Sequence, residues 1–327
     1  MPDTQPVVTV LTAPGEDEPP GLAPLHEQAH VRFAQDEASL REHLPETSIL
    51  LVTDFRTEAF QSAWSSAQKL QWVHATSAGV DAVLFPEIKD SDVTITNARG
   101  IFDRSIAEYV LGVILAFAKD TKRNIELQQD RQWQHRDTER VLDKKLLVVG
   151  AGSIGRQIAK LCGAVGMQVD GIARSARDSD PDFNAVHAND ALHQQLGKAD
   201  YVVVAAPLTP QTQGLFGAAE FATMQRHARF INIGRGPIVQ TDALVAALED
   251  GQIAGAGLDV FEQEPLPKNH PLWRMHNVLM SAHMAGDFIG WREALSTQFL
   301  GNLARWKAGE PLQNIVDKGR GYVPSNS

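Results

Sequence analysis

Residues 145–161 read Lys145-Leu146-Leu147-Val148-Val149-Gly150-Ala151-Gly152-Ser153-Ile154-Gly155-Arg156-Gln157-Ile158-Ala159-Lys160-Leu161: an apolar run, a glycine-rich turn and a helical pattern. A strand that opens through such a turn into a helix forms a clasp for a dinucleotide. Gly150 lets the turn tighten, Gly152 lets backbone N–H groups approach a pyrophosphate, and Gly155 lets the helix close on the strand with its N-terminus toward the phosphate charge. A plain glycine-rich βα turn, or one that serves a methyl-donor cofactor, has a similar composition. The setting between a buried strand and an amphipathic helix favours the dinucleotide.

Outward from this turn the chain keeps a βα rhythm. Short apolar runs predict strands at 146–149, 167–172, 201–205, 229–233, 254–258 and 277–281, as in a sheet covered on both faces. Before the turn, apolar runs at 7–12, 49–53, 71–75 and 93–96 alternate with helix-like stretches at 36–43, 57–68 and 82–89, which predicts a separate α/β unit. A long helix opens at Asp103 to Val110, with Asp103 or Ser105 as its cap, and runs to about Lys119 as a bridge between domains. The helical pattern from Trp291 to Trp306 is suited to return to the first domain. The expected fold class is α/β, with two Rossmann-like domains built on parallel sheets.

The 327 residues, 43% of them hydrophobic, suffice for two cores. A net charge of −10 without a long Lys/Arg cluster argues against a nucleic-acid surface, so an anionic substrate would need a local cation. The single cysteine, Cys162, can form no internal disulfide and reads as a small core residue in a reducing compartment. The start Met1-Pro2-Asp3-Thr4-Gln5-Pro6 lacks a signal-peptide pattern, and no stretch approaches the ~18 apolar residues of a membrane span, so a cytoplasmic location is expected. Residues 119–145 are densely charged around Trp133; a solvated arm and a partner-facing arm fit equally well.

The strand at 167–172 bears on cofactor choice. An acidic residue near its end commonly bonds the ribose 2′-OH of NAD, but the chain continues Ala173-Arg174-Ser175-Ala176-Arg177, and Asp170 lies within the strand. Arg174 and Arg177, with Ser175, suit a 2′-phosphate, so NADPH is the expected cofactor, with NAD possible. The alternative is a solvated basic loop.

Hydride reduction of a 2-oxo acid needs a cation for the carboxylate, an acid for the developing alkoxide and a carboxylate to orient that acid. Arg235, between Gly234 and Gly236, follows the strand Phe230-Ile231-Asn232-Ile233. Glu264 lies in Asp259-Val260-Phe261-Glu262-Gln263-Glu264-Pro265-Leu266-Pro267, where Glu262 competes with it and spacing does not choose between them. His283 follows the run 277–282, and a carboxylate partner would stabilise its protonated form and fix its tautomer. Three consecutive strands thus end in the three required groups, on the edge where this fold places ligands. His74 reads either as a packed strand-end histidine or as a further substrate contact.

Taken together, Gly150 to Gly155, Pro207-Leu208-Thr209-Pro210-Gln211-Thr212, Asn232 to Gly236, Leu258 to Phe261, Glu264 to Pro267 and His283-Met284-Ala285-Gly286 resemble the D-isomer-specific 2-hydroxyacid dehydrogenase family over nearly the whole chain. The resemblance implies Arg235, Glu264 and His283 as the catalytic set, which favours Glu264 over Glu262. It implies a cofactor site of Gly150, Gly152, Ser153, Ile154, Gly155, Arg174, Ser175, Arg177, Pro207, Thr212, Ile233 and Asp259, and a substrate grip by Ser77, Ala78 and Gly79 together with Arg235. It further implies a substrate-binding domain at 1–98 completed by 290–327, a dinucleotide-binding domain at 99–289, an active site in the cleft between them, a homodimer, and no metal. Ala282 stands where the family often has proline. The missing acid at Ala173 resembles the NADP-using branch, which includes glyoxylate and hydroxypyruvate reductases acting on small 2-oxo acids. The competing reading is a nucleotide-sensing corepressor-like binding protein on the same fold.

Overall fold

The computed structural model describes residues 5–54 and 58–324. Met1 to Thr4, Thr57 and the last three residues, on which parts of the expectations above fall, lie outside the described residues. In chain order the strands are β1 (Val7–Leu11), β2 (His30–Ala34), β3 (Ile49–Val52), β4 (Trp72–Ala75), β5 (Thr94–Asn97), β6 (Lys145–Val149), β7 (Gln168–Ala173), β8 (Ala185–Ala188), β9 (Tyr201–Val204), β10 (Arg229–Asn232), β11 (Gly255–Leu258) and β12 (Val278–Met280). The helices are α1 (Glu37–His43), α2 (Ala59–Ala63), α3 (Pro86–Lys89), α4 (Asp103–Ala118), α5 (Thr121–Gln129), α6 (Ser153–Ala164), α7 (Leu192–Leu196), α8 (Ala218–Thr223), α9 (Thr241–Glu249) and α10 (Trp291–Lys307). Two units result, one from the described residues within Met1–Phe102 and Phe288–Ser327, the other Asp103–Asp287.

The first unit holds a parallel sheet ordered β2-β1-β3-β4-β5. Side chains alternate between its faces. Ile49 and Leu51 of β3 join Val8, Val10 and Trp72 against Phe299 and Leu303 of α10, whereas Leu50 and Val52 pack with Leu40, Phe60 and Phe85 on the other side. Trp72 stacks on Phe299 with ring centroids 5.3 Å apart.

His74 lies inside β4 and is fully buried, its Nδ1 2.8 Å from the Thr96 hydroxyl oxygen that also accepts from Trp72 Nε1. It is a packed strand histidine. Nε2 finds no hydrogen-bond partner among the described residues, and burial pushes the imidazole down to about 3. Because the folded value lies below the unfolded one, His74 leaves stability intact above about pH 6.5 and reduces it as pH falls from there toward 3. Between pH 6.5 and 5 the expected loss is about 2 kcal/mol. Urea titrations of wild type and His74→Leu check this: the variant should lose that much less over the interval, and parallel curves would refute it.

The second unit holds a seven-stranded parallel sheet ordered β12-β11-β10-β9-β6-β7-β8. Strand order reverses between β6 and β9, which opens a crevice at their carboxyl ends. The small-residue strand β11 has a packing cause. A Cβ at Gly257 would lie 2.5 Å from Val113 Cγ1, and one at Gly255 would lie 3.1 Å from Phe117, so glycine lets α4 press onto the sheet. Helix α4 also packs against α6, whose Cys162 is fully buried and has its thiol pushed up to about 12 by that burial.

Two strands, β2 and β8, lie outside the apolar runs that predict strands. Each lies at a sheet edge and pairs with one neighbour only, so polar residues such as Arg32 and His187 interrupt the apolar run that marks an inner strand. The helix expected at 82–89 is confined to Pro86–Lys89, because Phe85 is extended ahead of Pro86. Beyond α5 the chain runs as an arm over 131–144 with Trp133 fully exposed. The arm is tied back where Arg136 meets Asp120 at 2.8 Å and where Arg229 grips Glu139 through two bonds of 2.7 and 3.1 Å. The Arg229 guanidinium in turn lies over the Tyr201 ring, 5.6 Å from its centroid. Among the described residues no helix is long and apolar enough to cross a membrane.

Candidate active site

The carboxyl edge of the second unit's sheet gathers most of the residues singled out above. At the end of β6, Gly150 takes φ +111, and a Cβ there would lie 2.6 Å from the backbone nitrogen of Ala206. Gly155 stands in the first turn of α6, where a Cβ would lie 2.1 Å from the Gly150 carbonyl oxygen. Both glycines are demanded by the protein's own packing. Gly152 is not, since a Cβ there would meet nothing within 4 Å. The open side of Gly152, at the N-terminus of α6, is the place where a pyrophosphate would approach the backbone, so the turn fits a dinucleotide. Ser153, the first residue of α6, donates its hydroxyl to Asp103 at the start of α4. Ile154 follows it, half-buried.

At the end of β7, Arg174 and Ser175 are exposed. Arg177 is drawn the other way, its guanidinium donating to Asp180 Oδ2 at 2.7 Å and to the Ala151 carbonyl at 3.2 Å. Arg156 of α6 meets the same Asp180 carboxylate through bonds of 2.9 and 2.7 Å. Although burial alone would raise it, the Asp182 N–H and these two guanidinia hold Asp180 below the usual carboxylate range. Arg177 therefore braces the loop against the glycine turn, which sequence reading did not anticipate. After β9, Thr212 closes its own loop by donating to the Pro207 carbonyl at 2.7 Å.

Ile233 and the Gly234-Arg235-Gly236 turn follow β10. Arg235 donates to the Gly234 carbonyl at 2.9 Å, and its own carbonyl accepts from Asn232 Nδ2 at 3.1 Å. Its two glycines are tightly enclosed: a Cβ on Gly234 would lie 2.8 Å from the Ala206 carbonyl oxygen, and one on Gly236 would lie 1.8 Å from the Phe261 carbonyl carbon.

The 261–264 segment after β11 separates the two competing glutamates. Glu262 is exposed and accepts the backbone N–H of Thr241, the first residue of α9, at 2.9 Å. Glu264 turns inward, takes the Phe261 N–H on Oε1 at 3.0 Å, and offers Oε2 to His283 Nδ1 at 2.8 Å. His283 stands at φ +54, three residues beyond β12, in the left-handed region that a non-glycine residue enters only when its surroundings hold it there. Asp259, almost fully buried, accepts from the Ser281 hydroxyl and from the N–H groups of Met284 and Ala285. Strands β10, β11 and β12 are parallel neighbours, so the segments bearing Arg235, Glu264 and His283 leave the sheet side by side.

In the first unit, the loop after β4 is internally braced. Ser77 donates to the Gly79 carbonyl at 2.5 Å, Asn97 Nδ2 donates to the Ala78 carbonyl at 2.6 Å, and Ala98 N–H donates to the Ser77 carbonyl at 3.0 Å.

Residues 111–285 match the family model for the NAD-binding domain of D-isomer specific 2-hydroxyacid dehydrogenases. Among relatives, glyoxylate reductase of Thermofilum pendens is 32% identical over 317 residues, 91% of each chain. Among solved structures, the NADPH-dependent glyoxylate/hydroxypyruvate reductase of Sinorhizobium meliloti in complex with NADP and sulfate superposes with a TM-score of 0.83 at 29% identity, covering 98% of this chain and 100% of the other. The D-isomer specific 2-hydroxyacid dehydrogenase of Xanthobacter autotrophicus in complex with NADPH and MES gives 0.79 at 32% identity, covering 96% and 99%. The chain is thus an oxidoreductase with an NAD(P)-binding Rossmann domain. It belongs to the D-isomer specific 2-hydroxyacid dehydrogenase family.

Proposed function

We infer that the protein reduces a small 2-oxo acid, glyoxylate or hydroxypyruvate, to the D-2-hydroxy acid, with NADPH preferred over NADH. The observation that carries this reading is the 2.8 Å contact between His283 Nδ1 and Glu264 Oε2 on the strand edge next to Arg235. A proton donor oriented by a carboxylate is needed for turnover and is superfluous for a nucleotide sensor. When bound, the reduced nicotinamide supplies a hydride. Arg235 holds the substrate carboxylate with its planar fork and polarises the adjacent carbonyl. Glu264 accepts a hydrogen bond from His283 Nδ1–H and stabilises the imidazolium, whose Nε2–H donates its proton to the oxygen as negative charge develops there, leaving a neutral imidazole. Ser77, Ala78 and Gly79 contribute backbone contacts to the same carboxylate, and Asp259 lies at the nicotinamide end of the edge.

The cofactor preference is supported by Arg174 and Ser175, exposed just after β7 in a stretch, 173–177, that contains no acidic residue. The NADP and NADPH bound to the two related structures point the same way. Charge-assisted bonds to the 2′-phosphate should favour NADPH over NADH in kcat/KM by about 10- to 100-fold. Following cofactor absorbance with glyoxylate, hydroxypyruvate and pyruvate tests both parts. Arg174→Ala should remove about tenfold of the preference while leaving NADH-dependent turnover near wild type. Better use of NADH would overturn the cofactor assignment, and silence across a broad 2-oxo acid panel would overturn the activity. The anchored arm with its exposed Trp133 supports a homodimer, readable as particle mass by light scattering. A cytoplasmic location fits a chain whose only cysteine is an unpaired, buried thiol.

A further inference from the structure

The turn that carries His283 is backed by a chain of hydroxyl groups with no part in proton or hydride transfer. Tyr109, in the second turn of α4, places its Oη 2.6 Å from Ser281 Oγ, and Ser281 donates to Asp259 Oδ1 at 2.5 Å. The same carboxylate accepts the N–H groups of Met284 at 2.8 Å and Ala285 at 3.0 Å, while the Asp259 carbonyl accepts the His283 N–H at 2.8 Å. One helical turn before Tyr109, and so on the same face of α4, Ser105 donates to the Gly286 carbonyl at 2.7 Å. These bonds tie residues 281–286 to α4 and to the end of β11, and none of them uses the imidazole.

Such bracing has a physical reason. At φ +54 the His283 backbone is strained, by a cost on the order of 1 kcal/mol or more, and persists only if its neighbours over-determine it. Ala282 immediately before it has no ring to restrict the chain. With the Asp259 carboxylate accepting throughout, the Ser281 hydroxyl must donate to it, and Ser281 Oγ is then left to accept from Tyr109. Burial, offset in part by the Ser281 bond and reinforced by the Asp259 charge, raises Tyr109 from its ordinary value, so its hydroxyl keeps the proton it donates.

We propose that Tyr109 is a positioning residue: acting in series through Ser281 and Asp259, it fixes the 281–286 turn and so aims the His283 imidazole at its working angle to Glu264. This rests on His283 being the proton donor. Removing the Tyr109 hydroxyl leaves the ring to pack and strands only an acceptor lone pair on Ser281, so the fold should tolerate it. The imidazole should not, because small misplacements of a reacting group cost much of its rate.

The test uses the full-length protein with NADPH and glyoxylate. Tyr109→Phe should lower kcat about tenfold, the equivalent of one lost hydrogen bond, with KM for NADPH and the melting temperature close to wild type. Ser281→Ala should lose at least as much, and the double variant no more than Ser281→Ala alone, since the two groups act in series. Ser281→Thr, which keeps a hydroxyl, should retain most of kcat. Unchanged turnover in Tyr109→Phe, single losses that multiply in the double variant, or a loss confined to KM would each overturn the proposal. Should Tyr109→Phe fail to fold, the contrast between Ser281→Ala and Ser281→Thr decides. If wild type turns over no 2-oxo acid, the functional reading fails by itself. The chain of hydroxyls is then read by NMR from the His283 Hε1 resonance, assigned by its absence in His283→Ala. A shift of that resonance in Tyr109→Phe, with the other histidine signals in place, supports the chain, and an unmoved resonance refutes it.

Discussion

His283→Ala should lower kcat for glyoxylate reduction by about 10²–10⁴-fold, the range for loss of a positioned general acid. The imidazole joins the turn to Glu264, with Nδ1 2.8 Å from Oε2. The turn itself is held by main-chain and Asp259 bonds that alanine keeps, so the variant should melt within a few degrees of wild type and still bind NADPH. Full loss of turnover with cofactor binding intact separates a proton-transfer role from a structural one. A variant that retained most of its kcat would remove His283 from the mechanism. Glu264→Gln should also lower kcat steeply, because one of its two acceptor oxygens becomes an amide donor: either the Phe261 N–H or the His283 Nδ1–H loses its acceptor, and the charge that supports the imidazolium is gone.

Gly236→Ala should be the most damaging single-methyl change in the nucleotide-binding unit. The added Cβ would lie 1.8 Å from the Phe261 carbonyl carbon, 1.9 Å from its oxygen and 2.3 Å from the Glu262 nitrogen. All three are backbone atoms, which cannot swing aside as a long side chain would. Relief requires the 261–264 segment to move bodily, and that segment carries Glu264. The expected cost exceeds 4 kcal/mol, in the exceptional range for point substitutions, and corresponds to a fall in Tm of roughly 10 °C or more for a unit of this size. Gly112→Ala is the control. In the middle of α4 its Cβ would meet nothing within 4 Å, so alanine should stabilise by up to about 1 kcal/mol through better helix propensity. Differential scanning calorimetry of the pair would show whether the sign of the effect follows the space available.

Much of the architecture could be read from apolar runs because the inner strands are buried on both faces. Lys145–Val149, Tyr201–Val204 and Arg229–Asn232 leave few polar residues to break the pattern. Edge strands escape that logic, as β2 and β8 show. The active-site candidates were readable for a different reason, since each follows a strand end and needs only chain order to be located. What sequence could not supply was direction and distance. Glu262 and Glu264 are two residues apart, and only the fold reveals that one caps α9 while the other meets His283. Arg177, expected at a phosphate, also donates to Asp180 three residues on, a bond that residue spacing does not announce. Tyr109 and Ser281 are 172 residues apart, a pairing without any local signature.

The lone thiol of Cys162 has a practical corollary. Fully buried in α6 and kept protonated by that burial, it should ignore maleimides and other alkylating reagents under native conditions. Any cysteine introduced on the outside, for instance Gln134→Cys on the arm, would then be the sole reactive handle in the molecule. Fluorophores or spin labels could be attached there without first stripping the chain of its natural sulfhydryl, which opens the arm's surroundings to direct distance measurement in solution.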